Sequence, residues 1–479
     1  KPENVFYFSN FNPVLNSHPA VMIISLDEEP CLLVHSIRYV HACEEGKIKN
    51  VKIYGKWGAN VPLAIHPVDA VRTLLGKRNR KLGLELDYCS AGFCSEVEDK
   101  LCPDEVVSIS SEINMMKIIK DPYEIGCIRR SAALVDKGVE VTIDYLKQGY
   151  SEAEACTQGQ YAMRRMWHEK FPEAEVCGFG TSEGGMIDSL HVWCLSNGHI
   201  AYGCDCPRHY HPQPGDLTLP MAWAKTDGYH AENERTVIVG ELDSYKQNAY
   251  DGMLKARESI FRILKPGVTF EELYLAAAKV YSERGFDSIL PGRVGHGVGC
   301  SAHEFPSLER GNLLRLQPGM VMTVEPGLMD KTWGGVRHSD TVLITEDGCE
   351  LLTRFDTGAI VIECGDLRAE RAGYRLRRRK LMKKFTAAVI QMDSGNDVDQ
   401  NLKELERFIE EAAEKNAKLI AMPENVNYVG DESAKYAEDV PGGKTFCFLS
   451  ELAVKYGVWL HCGSIYEKNP ADSLITARW

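Results

Sequence analysis

Apolar residues along the chain alternate between short runs and helical spacing, and that alternation lays out the elements. The run Ala20–Leu26 reads as a buried strand, and Cys31–Val34, set off by Glu28-Glu29-Pro30, as a second. Val51–Tyr54 and Lys81–Glu85 follow as further strands, with a helix over Pro67–Leu75 between them. A helix opens at Pro122, with Asp121 as its N-cap and Ile125, Ile128, Ala132 and Val135 on one face. Ser151 with Glu154 three residues on is a capping box for the next helix. From about residue 175 the grammar changes to short strands with Gly and Pro turns. Asp216–Leu219 and Thr236–Val239 read as strands around a turn at Asp227-Gly228, and Met320–Val324 and Thr341–Thr345 as two more, after a helical insertion over Tyr245–Arg284. A β-α-β-α-β order then restarts: strand Phe385–Met392, helix Asn401–Lys415, strand Lys418–Met422, helix Ser450–Lys455, strand Val458–Ile465.

This pattern divides the 479 residues into an α/β domain over 1–112, an α+β domain over 113–366, a basic linker over 367–384 and a second α/β domain over 385–479. The linker carries Arg368, Arg371, Arg375, Arg377–Arg379, Lys380, Lys383 and Lys384. Apart from Tyr374 it has no interleaved aromatics, so it reads as a solvated connection. The net charge of −13 excludes nucleic acid and anionic membranes as partners on charge grounds. There is no transmembrane run of about 20 apolar residues. The sixteen cysteines contain no CxxC pair and lie scattered in apolar runs, as reduced cysteines of a cytoplasmic protein do. The chain begins at Lys1, as after an internal cut.

Four segments carry chemistry. Gly295-His296-Gly297-Val298-Gly299 precedes His303-Glu304 and Pro306; glycines framing a histidine let backbone approach a ligand while the imidazole points inward. Gln317–Gly327 is a turn feeding an apolar strand that ends in Glu325, a carboxylate that needs a partner if buried. Gly334-Gly335-Val336-Arg337-His338-Ser339-Asp340 enters another strand. Gly228–Thr236 places Glu232 and Glu234 two apart, on one side of an extended segment. Glu232, Glu234 and Glu325 near two histidines would shift one another's pKa values.

Together these segments resemble the pita-bread family of Xaa-Pro aminopeptidases, prolidases, methionine aminopeptidases and creatinase over about residues 1–365. The resemblance implies a creatinase-type N-terminal α/β domain, a pita-bread α+β catalytic domain and a homodimer. In the family's metallopeptidases two divalent cations sit between two aspartates, a histidine and two glutamates. Carried over, the first aspartate falls at Met221, the second at Glu232, the histidine at His296, and the glutamates at Glu325 and Ser339. A thioether is a poor ligand for a hard cation. The resemblance therefore implies no metal or a single Mn, Zn or Co, held at most by Glu232, His296 and Glu325, and no two-metal site. Creatinase works without metal, and Glu234-Arg235-Thr236 is similar to its version of that string. Its shuttle histidine falls at Cys204, with His199, His209 and His211 nearby, and a further carboxylate falls at His338.

The leading expectation is a creatinase-like hydrolase of a C–N bond in an amidino, guanidino or amide compound. His296, His303 and Glu325 are its candidate catalytic residues, and Glu232, Glu234, Arg337 and His338 bind the substrate. The runner-up is an Xaa-Pro-type metallopeptidase with a reduced metal site, acting on short peptides; a third reading is a ligand-binding pseudoenzyme. The last domain resembles the first third of a nitrilase (carbon–nitrogen hydrolase), with Glu424 after Met422-Pro423 at the general-base position. The lysine and cysteine that family needs would lie beyond Trp479, so this end is expected to be inactive as given and to leave an apolar sheet face open.

Overall fold

The computed structural model describes the chain except residues 77–80, 182–187, 204, 364–384, 469–474 and 479. The basic linker and Cys204 thus lie outside the described residues. The chain forms two compact units, Lys1–Ala372 and Gly373–Trp479.

The first unit opens with a three-stranded sheet, Val21–Ile23 antiparallel to Cys31–His35 and the latter parallel to Asn50–Tyr54. Its first strand is shorter than the apolar run predicts. Only three residues find partners on Cys31–Leu33, and beyond them Ile24 and Leu26 are exposed. Lys81–Leu84 and Glu105–Ser108 pair in parallel as a separate ribbon.

The rest of the first unit is built on an eleven-stranded sheet. Its central path runs Arg293–Gly297, Val321–Val324, Gly334–Ile344, Tyr229–Arg235, Leu217–Thr226. Leu217–Thr226 is ten residues long, far beyond the predicted Asp216–Leu219, and turns at Asp227-Gly228 into Tyr229–Arg235. Gly228 sits at φ +87°, and a Cβ there would enter the Phe6 ring, so glycine is required at this turn. The helices Pro122–Lys147 and Glu152–Lys170 carry the capping boxes of Asp121 and Ser151. Their apolar faces bury Ala222, Ala224 and Ala231 against one face of the sheet. The predicted helical insertion is two helices, Ser244–Ile263 and Phe270–Glu283, which pack with Met221, Val324 and Val336 in another core. Trp223 and Glu232, which alternate with the alanines, lie on the opposite face of the sheet.

The second unit holds a parallel sheet ordered Thr386–Val389, Ala417–Ala421, Trp459–His461. The helices Val398–Glu414 and Lys444–Tyr456 contribute Leu405, Ile409, Leu449 and Leu452 to its core with Ile420. The other face is open: Leu419 is opposite Trp459, and Trp459 and Val389 are 80% and 83% exposed. Among the described residues these exposed side chains form an apolar face of the kind expected for this domain. Among the described residues, no helix is long and apolar enough to cross a membrane.

Candidate active site

Glu232 and Glu234 lie on the same side of the strand Tyr229–Arg235, as their spacing predicts. In register across from them on the neighbouring strand stand Trp223 and Met221. Ser339 pairs with Glu234 from the other side. Glu232 is buried and each oxygen accepts one hydrogen bond: Ser339 Oγ donates to Oε1 at 2.6 Å and Trp223 Nε1 to Oε2 at 3.0 Å. Burial and the neighbouring Glu325 charge raise its pKa well above the usual carboxylate range.

His296 faces this carboxylate. Its Nδ1 lies 3.0 Å from the Gly297 carbonyl and donates to it. That fixes Nε2 as the free ring nitrogen. Nε2 is 3.7 Å from Glu232 Oε2 and 3.6 Å from Glu325 Oε1, and makes no hydrogen bond among the described residues. Burial would lower the His296 pKa, but the Glu325 and Glu232 carboxylates overcome it and raise it. Glu325 shows the converse. Burial would raise it, yet His296, Arg337 and Arg293 hold it below the usual range. Gly295 sits at φ +152°, and a Cβ there would strike the Thr323 carbonyl, so the strand can present His296 only with glycine before it. The His303 ring stacks at a tilt 4.3 Å from His296 at the exposed mouth. Burial of part of its ring and the His296 charge lower its pKa to about 4.

Among the described residues one group can hold a metal ion: Glu232, His296 and His303, whose ligand atoms lie within 4.8 Å of one another. Glu325 was expected as the third ligand. It stands beside His296, but His303 completes the converging group.

Three expectations for substrate contact change. Glu234 and Arg337, both expected to bind substrate, bind each other: Arg337 Nη2 donates to Glu234 Oε1 at 2.7 Å and Nε donates to Oε2. The same Nη2 lies 3.2 Å from Met221 Sδ. His338 faces the other way. It is opposite Arg235, is fully buried, and packs edge-on against Tyr250. Adjacent strand residues point to opposite faces, so Arg337 and His338 cannot share a pocket. Asp340, on the His338 side, anchors Arg235 and Arg257. Glu304 of the histidine motif is likewise outside the pocket, paired with Lys117 and Lys120 at 3.3 Å each. Of the histidines near the creatinase shuttle position, His199 pairs with Asp205 and His211 with the Gly149 carbonyl. Glu424 is exposed in the turn after Ala417–Ala421. Trp223 and Arg293 were not singled out in the sequence. Trp223 could have been found, because it lies two residues from Met221 on the same strand face.

The sequence matches the family model of metallopeptidase family M24 over residues 126–346, between the creatinase/prolidase N-terminal domain over 1–119 and a carbon–nitrogen hydrolase segment over 386–477. It is 31% identical over 354 residues to the Xaa-Pro dipeptidase of Pyrococcus furiosus, covering 74% of this chain and 92% of that protein. The chain belongs to metallopeptidase family M24. A putative dipeptidase of Bacillus subtilis, YkvY, is 28% identical over 366 residues, covering 75% of this chain and 93% of the relative. The prolidase structure from Pyrococcus furiosus superposes with a TM-score of 0.62 at 28% identity, over 74% of this chain and 95% of that one. The fold is thus the pita-bread fold of the M24 prolidases, and the site lies in the M24 domain.

Proposed function

We propose that the M24 domain hydrolyses the amide bond of a short peptide or small amide at a centre built for one divalent cation. The observation that carries this is His296 Nε2. It is a buried ring nitrogen with no hydrogen bond among the described residues, near two carboxylates while Nδ1 is tied to a backbone carbonyl. The 3.7 Å gap from Nε2 to Glu232 is too long for a hydrogen bond but is spanned by two ligand bonds of about 2.0–2.2 Å meeting at an ion. Glu232, His296 and His303 would hold Mn, Co or Zn there. Such a cation supplies a Lewis acid for the scissile carbonyl and lowers the pKa of water. Glu325, held ionised beside His296, accepts the proton of the attacking water and returns it to the departing nitrogen. Trp223 and Ser339 hold the Glu232 carboxylate in place through its two hydrogen bonds.

A second ion is disfavoured by charge as well as by ligands. Met221 and Ser339 offer no carboxylate, and Arg337 already sets a cation against Glu234 and the Met221 sulfur. The same pair weakens the amidino or guanidino reading, since the carboxylate that would receive a substrate guanidinium is already taken by one from the protein. The two dipeptidase relatives support the peptide reading.

The test is elemental analysis of the purified chain with a screen of Xaa-Pro dipeptides and guanidino compounds under added Mn, Co and Zn. The expected result is one ion per chain and dipeptide hydrolysis that chelation abolishes. Two tightly bound ions, or turnover of a guanidino compound that survives chelation, would overturn the proposal.

A further inference from the structure

Glu304 follows His303 in the chain but turns away from it. The strand Glu304–Glu309 returns antiparallel to Arg293–Gly297, and Glu304 pairs with Gly297, so these two residues close a loop over 298–303 with His303 at its end. The Glu304 carboxylate ties this loop together. Its Oε1 accepts from the Ser301 backbone N–H at 3.1 Å and from Lys117 Nζ at 3.3 Å, and its Oε2 accepts from Lys120 Nζ at 3.3 Å. All three charged side chains are buried. A Cβ on Gly299 would strike Glu304 Oε2, so the glycine lets the carboxylate fold back across the loop.

The two lysines stand on a fixed support. Lys117 ends the helix Ser110–Lys117, inside the segment that matches the N-terminal domain, and Lys120 directly precedes the N-cap Asp121. Between them Ile119 bridges to Met320, and the Lys120 N–H donates to the Gly319 carbonyl at 2.8 Å, on the turn into the strand Val321–Val324. His303 is held by less. Among the described residues no hydrogen bond engages its ring, which meets the His296 ring at 4.3 Å. The direction of the imidazole is therefore left to the backbone that carries it.

We propose that Glu304 is the positioning residue of His303: tied to Lys117 and Lys120, it fixes the loop so that the imidazole stands against His296, where an ion shared with Glu232 can be met. This rests on the one-cation reading above and deepens it. Apolar residues of like volume often stabilise a fold as well as a buried ion pair does, so what this triad adds is a single loop geometry. Through Lys117 the end of the N-terminal domain takes part in building the centre. Glu304 itself touches neither ion nor substrate.

The test is a double-mutant cycle on metal affinity. Mn is titrated by calorimetry into the metal-free whole chain as wild type, Glu304→Gln, His303→Ala and the double variant, and urea stability is measured on each. Glutamine keeps an acceptor for Ser301 but no charge for the lysines. Glu304→Gln should weaken Mn binding about 10–100-fold, as loss of a group that orients a metal ligand does. In the His303→Ala background the same change should cost no further affinity, because the ring it positions is gone. A merely structural carboxylate would lower stability in both backgrounds without this coupling. Wild-type affinity in Glu304→Gln, or losses that add in the double variant, overturns the proposal. Should Glu304→Gln not fold, Lys120→Met, which leaves Glu304 with Lys117 and Ser301, takes its place in the cycle under the same criterion of coupling. Wild type that binds no Mn removes the one-cation reading by itself. The positioning role is then decided by metal-free crystal structures: in Glu304→Gln the His303 ring should leave its 4.3 Å contact with His296, and an unmoved ring overturns it.

Discussion

Arg337→Met is the sharpest perturbation of this site. The Glu234 side chain is 1% exposed, and both its oxygens accept from the Arg337 guanidinium. Removing one partner of a buried pair costs about 3–5 kcal/mol, mostly the penalty of the charge left behind. Glu232 and Glu325 would add their repulsion. Protonation offers Glu234 an escape: burial already raises its pKa, and Arg337 is the strongest influence holding it down. A carboxyl whose folded pKa lies above its unfolded value costs stability at high pH, and that cost fades as pH falls through the folded pKa. The loss in Arg337→Met should therefore be about 3 kcal/mol at pH 8 and shrink toward pH 5. Adding Glu234→Gln should recover most of it. Urea denaturation of wild type, the two single variants and the double variant at both pH values measures this coupling, with the two units' transitions fitted separately. A pH 8 midpoint equal to wild type, or additive effects in the double variant, would refute the view that Arg337 neutralises this pocket.

Other outcomes follow from the same geometry. His296→Ala should lose the bound ion and lower turnover about 100-fold or more, as read by elemental analysis and dipeptide assay. Asp340→Ala strands Arg235 and Arg257, which it now holds at 2.5 and 2.6 Å, and should cost about 3–5 kcal/mol in the urea transition of the first unit. Gly295→Ala should weaken metal binding before it weakens the fold, since the new Cβ displaces the strand that presents His296; metal titration against the thermal midpoint separates the two.

Elements with a strong local signal were legible in the chain. The helices after Asp121 and Ser151 begin where capping boxes place them, because a cap satisfies its own backbone donors without help from afar. The shared side of Glu232 and Glu234 followed from strand periodicity, and the glycine frame of His296 from the backbone angles it needs. Apolar runs were less reliable guides to length. Ala20–Leu26 yields only a three-residue strand, whereas Asp216–Leu219 grows to ten residues up to Thr226 because neighbouring strands pair with it on both sides.

The partners of the charged groups were decided by tertiary structure alone. Nothing local says that Arg337 folds onto Glu234, 103 residues away, or that Glu304 turns from His303 to Lys117 and Lys120. A charge in a sequence is equally compatible with a substrate, a metal or another side chain. Which one it meets depends on strand register, and a shift of one residue reverses every side chain, as Arg337 and His338 demonstrate on adjacent positions. The sequence by itself determined the family, the elements and the chemical types gathered here. Folding determined which charges cancel one another and which group, His296 Nε2, stays without a hydrogen bond among the described residues.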